Sequence, residues 1–130
     1  AKAPCPPWIE GDWSPASGYA AGRRLARNPD VTAVFAANDD MAIGVMSALA
    51  EAGRRVPDDV SVIGLDDIPI AAYQTPPLTT VRQDFVALVR NGLERLVGQI
   101  EAPGDDRPGS DSLEPVSLVV RRSTRAPVHR

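Results

Sequence analysis

A catalytic carboxylate pair could be drawn from five aspartates: Asp12, which precedes Trp13, Asp39 with Asp40, and Asp66 with Asp67. Two such carboxylates flanking a glycosidic bond would serve as acid and base or nucleophile. Adjacent aspartates at the end of a strand more often cap a helix by accepting backbone N–H groups. The same positions suit recognition without turnover. A sugar offers an apolar C–H face that rests on an aromatic ring and a rim of hydroxyls that need donors and acceptors. Trp13 supplies a platform, Asn38 and Asp66 supply a polar rim, and Gln83 with Phe85 add an amide and an apolar wall. The competing role for Trp13 and Phe85 is core packing, the usual fate of aromatics.

Other catalytic kits are missing. One histidine, His129, and one cysteine, Cys5, cannot build a nucleophilic triad or a zinc site of ordinary ligand count. No glycine-rich phosphate loop occurs. The expectation is therefore a binding protein with no catalytic residue, no metal and no cofactor.

Short β-branched runs alternate with helically spaced stretches, the pattern of an α/β fold with a parallel sheet flanked by helices. A first helix is expected over 17–27, with Ser14 as cap, Pro15 near the first turn and Asn28-Pro29 as the stop. A buried strand follows over 31–37. A second helix over 40–52 takes Asn38 or Asp39 as cap and Gly53 as terminator. This helix is apolar nearly all round, so its outer face meets either a second chain or a neighbouring helix. A strand over 60–65 ends in Asp66-Asp67, an extended stretch covers 75–81, and a last strand covers 115–122. Between them, Phe85, Leu88, Val89, Gly92, Leu93, Leu96 and Ile100 form one stripe of an amphipathic helix. Residues 102–112, rich in proline, glycine and charge, read as a mobile loop. Trp13, Asn38 and Asp66 thus fall at βα junctions, on the edge of a parallel sheet where ligands bind.

At 130 residues the chain has room for one core. No apolar run reaches the roughly 20 residues of a membrane span. A net charge of −3 argues against this segment gripping a phosphate backbone. Its basic concentration, Arg121-Arg122 with Arg125 and Arg130, reads as a solvated tail. The lone Cys5 leaves no internal disulfide and fits a reducing compartment such as the cytoplasm. The first residue is not Met and the lead is not a signal peptide, so the chain is expected to be a piece of a longer one.

Several stretches together resemble the sensor domain of LacI-type transcriptional regulators: Gly11-Asp12-Trp13-Ser14 with Ser17-Gly18-Tyr19, Ala37-Asn38-Asp39 with Met41-Ala42, Val62-Ile63-Gly64-Leu65-Asp66-Asp67, Pro76-Pro77-Leu78-Thr79-Thr80, Gln83-Asp84-Phe85 and Pro115-Val116-Ser117-Leu118-Val119. The resemblance runs from about residue 9 to 127. It implies part of a periplasmic-binding-protein-like (type I) sensor, two α/β lobes around a sugar cleft, preceded by a DNA-binding headpiece that is not in this chain. On that pattern, 1–83 belong to the C-terminal lobe, 84–112 to a crossover helix and loop of a mostly missing lobe, and 113–130 to a returning strand and tail. The saccharide contacts implied are Trp13, Asn38, Asp66, Gln83 and Phe85. The implied homodimer surface uses Ile43, Met46, Ser47 and Ala50 with Ile70, Tyr73 and Gln74. Operator DNA is the partner of the headpiece, and the ring at Trp13 points to a galactoside or related saccharide. Leu65 stands where such sensors commonly carry Tyr, and Ile68-Pro69 where they carry polar residues. A sugar-binding receptor of a transport system would share the fold and cleft without the headpiece.

Overall fold

The computed structural model describes residues 8–101 and 116–127. Cys5, His129, Arg130, the loop expected over 102–112 and the start of the last expected strand at Pro115 lie outside the described residues. The elements are α1 (Pro15–Leu25), β1 (Ala33–Phe35), α2 (Asp39–Glu51), β2 (Ser61–Asp66), a 3-10 turn (Pro69–Tyr73), β3 (Thr79–Arg82), α3 (Phe85–Glu101) and β4 (Ser117–Val119). The sheet order is β1-β2-β3-β4. β1, β2 and β3 run parallel, but β4 returns antiparallel beside β3, with Val81 opposite Leu118. The sheet is therefore mixed rather than wholly parallel.

Local chemistry sets the helix starts. The Ser14 hydroxyl accepts the Ser17 N–H at 3.1 Å, which places Pro15 in the first turn, where its missing N–H costs nothing. The helix consequently begins two residues earlier than expected and ends at Leu25. Asn38, not Asp39, caps α2, its Oδ1 accepting the Met41 N–H at 2.9 Å. Gly53, with φ of +71°, takes the left-handed conformation that ends the helix.

α1 covers part of the apolar surface of α2. Gly18 lies against the Met41 backbone, Gly22 against Val45 and Ala48, and Gly44 against Pro15 and Tyr19. A Cβ at Gly44 would stand 2.0 Å from the Pro15 carbonyl oxygen, so these backbones approach closer than side chains permit. Beneath α2, Val45, Met46, Leu49, Val60, Val62, Ala71 and Leu78 form the core. On β2, buried Val62 and Gly64 alternate with half-buried Ser61, Ile63 and Leu65, so among the described residues helices cover one face of the sheet.

The expected buried strand over 31–37 is corrected by this arrangement. β1 has three residues at the sheet edge, and Phe35 on the uncovered face is 63% exposed. α3 forms as its periodicity predicts, but none of its residues is buried and its apolar stripe from Phe85 to Ile100 is open. Amphipathic spacing specifies a helix without specifying what covers it. The last strand is likewise shorter than expected, Ser117–Val119.

Candidate functional site

The loop before α1 is drawn tight by Asp12. Its Oδ1 accepts from the Ser14 N–H at 3.0 Å and the Ser14 hydroxyl at 2.5 Å, while its own N–H donates to Ser17 Oγ at 3.2 Å. The side-chain bonds from Ser14 and Ser17 lower the Asp12 pKa to about 2. This turn puts Trp13 in the left-handed region, φ 70°, and leaves it 64% exposed. Its carbonyl accepts from Asn38 Nδ2 at 2.9 Å. Asn38 therefore does two jobs, capping α2 with its oxygen and tying down Trp13 with its nitrogen. An amide retains one N–H and one lone pair after these bonds.

At the next junction, Asp66 and Asp67 are both left-handed, with φ of 113° and 59°. Non-glycine residues in succession there are disfavoured and persist where surrounding contacts hold them. Gln83 Nε2 donates to Asp66 Oδ1 at 3.1 Å. Asp67 binds two guanidinium groups, Arg121 at Oδ1 and Arg82 at Oδ2, both at 2.6 Å. Burial pushes the Asp67 carboxyl up, but the hydrogen bonds from Arg121 and Arg82 outweigh it and hold the group below its usual range. Arg121 also donates to the Leu78 carbonyl at 2.7 Å, so it is a structural side chain and not part of a solvated tail. Asp84 accepts the Ala87 N–H at 3.0 Å and so opens α3, with Phe85 48% exposed as its first residue.

Four of the five expected contacts thus meet in two bonded pairs, Trp13 with Asn38 and Asp66 with Gln83. Neither Trp13 nor Phe85 is core. The carboxylates of Asp12, Asp39 and Asp67 are held by structural partners, while Asp40 is exposed and Asp66 is bonded to Gln83. Among the described residues no cluster of three or more His, Cys, Asp or Glu is arranged to hold a metal. No helix there is long and apolar enough to cross a membrane. Of the expected dimer residues, Ser47, Ala50, Ile70 and Tyr73 are exposed, Ile43 and Gln74 are half-buried, and Met46 is in the core.

Two structural parts escaped the sequence reading. Asp39 is fully buried, its carboxylate bonded to Thr80 and the Ile68 N–H, while neighbouring Asp40 is exposed. Buried Ser123 accepts the Thr79 N–H at 2.7 Å and donates to the Val62 carbonyl at 2.6 Å, stitching the returning chain between β2 and β3. The available signal was Thr79-Thr80, two hydroxyls in a buried strand that both require partners.

A family model for the periplasmic binding protein-like domain matches residues 3–124. The chain is 41% identical over 119 residues to the lactose operon repressor of Escherichia coli (strain K12), covering 91% of this chain and 32% of that protein. A crystal structure of the lac repressor dimer bound to operator and the anti-inducer ONPF matches with a TM-score of 0.77 and 43% identity, over 89% of this chain and 40% of that one. A LacI family regulator from Enterococcus faecalis V583 with bound ribose matches with a TM-score of 0.76 and 36% identity, over 93% and 44%. The chain spans about a third of the length of the curated relative it matches.

Proposed function

The chain belongs to the periplasmic binding protein-like domain family, in the form found in LacI-type transcriptional regulators, and from that membership we propose that it is the saccharide-sensing part of a DNA-binding repressor. On this reading the described residues 8–83 belong to the C-terminal lobe of the sensor, 84–101 lead toward the other lobe, and 116–127 return. A saccharide lies on the exposed ring of Trp13, with its hydroxyls on Asn38 and Asp66 and its far side against Gln83 and Phe85. A galactoside is the first ligand to test. Binding shifts the lobe angle and with it the spacing of two headpieces on operator DNA, a coupling between two sites through a hinge. The homodimer uses the exposed parts of α2 and the 3-10 turn: Ile43, Ser47, Ala50, Ile70, Tyr73 and Gln74, with Met46 contributing from beneath. The protein acts in the cytoplasm and turns over no substrate.

The observation that carries this reading is the bonded placement of Trp13: a ring 64% exposed, on a turn held by Asn38 and Asp12, beside a polar rim. An exposed ring on a backbone turn fixed by hydrogen bonds is open to stack on a ligand, which a core residue is not. The repressor character of the matched relatives favours this over a transport receptor.

The test is a tryptophan fluorescence titration of the full-length protein with galactosides, glucosides and ribose, beside Trp13→Phe, with operator retention followed by gel shift. One sugar class should give a saturable change, release operator, and lose most of both effects in the variant. Folded protein that answers to no sugar would sink the assignment, and hydrolysis of a chromogenic galactoside would replace it with a glycosidase.

A further inference from the structure

The Asp39 carboxylate is closed off from solvent at the N-terminus of α2. Its Oδ1 accepts the Thr80 hydroxyl on β3 at 2.6 Å, and its Oδ2 accepts the Ile68 N–H just after β2 at 2.9 Å. Gly64 on β2 makes the room, since a Cβ there would stand 2.1 Å from Oδ1. Burial raises the pKa of this carboxyl, with the bonds from Thr80 and Ile68 opposing it. Burying a carboxylate is costly, and an apolar side chain of similar size would suit this core at lower cost.

The three elements it joins are the ones that carry the polar ligand contacts. Asn38 directly precedes Asp39, Asp66 lies two residues before Ile68, and Gln83 lies three residues after Thr80. We propose that Asp39 is a positioning residue for the effector site: its carboxylate sets the spacing between Asn38 and the Asp66–Gln83 pair without touching the ligand. This rests on the saccharide site proposed above. The loop at Asp66-Asp67 holds two consecutive left-handed residues, and the bond from Ile68 to Asp39 anchors its downstream end. Without that anchor the loop is held only through Gln83, Arg82 and Arg121 at its side chains, its downstream backbone is released, and the Asp66 carboxylate moves.

The test compares Asp39→Ala with Val60→Ala in the full-length protein. Val60 is equally buried in the same core, makes no side-chain hydrogen bond, and lies at the opposite end of β2 from Asp66. Affinity for whichever of the galactosides, glucosides or ribose gives the saturable fluorescence change with wild type is measured by titration below the unfolding transition of each variant. Asp39→Ala should weaken binding by at least about tenfold and Val60→Ala by less than about twofold, at comparable losses of Tm. Asp39→Asn should recover much of the affinity, because its amide oxygen accepts from Ile68 and its NH2 group donates to a rotated Thr80 hydroxyl. Equal, small effects of the two alanine variants would overturn the proposal while leaving the site standing. Wild-type protein that binds no saccharide would instead remove the site, and the proposal with it. If Asp39→Ala does not fold, Thr80→Val decides: binding weakened about threefold or more supports the role, and unchanged affinity overturns it.

Discussion

Asp67 and Arg121 stand 54 positions apart in the chain, and their side chains meet at 2.6 Å with only 7% and 17% of their surfaces exposed. Arg82 holds the other oxygen of the same carboxylate. One side chain therefore fastens both passages of the chain at this end of the sheet, the exit from β3 toward α3 and the return through β4. It does so next to Asp66, whose carboxylate is bonded to Gln83.

Asp67→Asn is expected to cost about 2–3 kcal/mol at neutral pH, read as a lower urea midpoint, because a largely buried guanidinium loses its anion. Arg82, 58% exposed, adds little to that figure. The folded-state pKa of Asp67 is lowered, so its stabilisation is present above the unfolded pKa, near 3.9, and is lost as pH falls through the folded value. The gap between wild type and variant should close below about pH 4. A gap that stays constant into acid would mean that the ion pairs contribute nothing.

Asp39 has the opposite sign. Burial raises its folded pKa, so the stability linked to its proton is present below the unfolded pKa and is lost as pH rises through the folded one. Asp39→Asn should therefore gain on wild type as pH climbs through that window and then hold level, in denaturation curves taken across the acid range. A variant that loses ground over the same interval would contradict the burial argument.

Asn38→Asp separates the two jobs of that side chain. The carboxylate still caps α2 through the Met41 N–H, and an acid suits a helix N-terminus, so Tm should change little. It cannot donate to the Trp13 carbonyl, and the freed turn should shift the Trp13 emission and weaken saccharide binding about tenfold. Binding equal to wild type would show that the Trp13 tether is dispensable.

Gly44→Ala is expected to destabilise the domain by about 1–3 kcal/mol despite the higher helix propensity of alanine, since the new methyl meets the Pro15 carbonyl and the Tyr19 N–H. Gly92→Ala, where a Cβ meets nothing within 4 Å, should stabilise α3 slightly. Thermal melts of the pair distinguish close helix packing from propensity, and equal shifts would refute the packing argument.

Much of the local structure was legible beforehand because its causes lie within a few residues. Ser14, Asn38 and Gly53 act on their own helix ends, and Val60 through Leu65 announces a strand by its β-branched run. Asn38 and Asp66 follow β1 and β2, as the βα-junction argument expects, since parallel strands send their following loops to one edge; among the described residues no strand precedes α1, so Trp13 reaches Asn38 from the turn at Asp12 and not from a βα junction.

Local residue patterns dictate the order of elements, the caps and the edge of the sheet to which Asn38 and Asp66 are brought. Tertiary structure decided which of two adjacent aspartates is buried, that Arg121 serves as a clamp, that Phe35 and the α3 stripe stay open, and that glycines let α1 cover α2. The reason is range. Caps and periodicity act along the chain over a turn or two, whereas Asp39 with Ile68 and Asp67 with Arg121 are partners 29 and 54 positions apart, brought together by strand register and by β4 returning antiparallel.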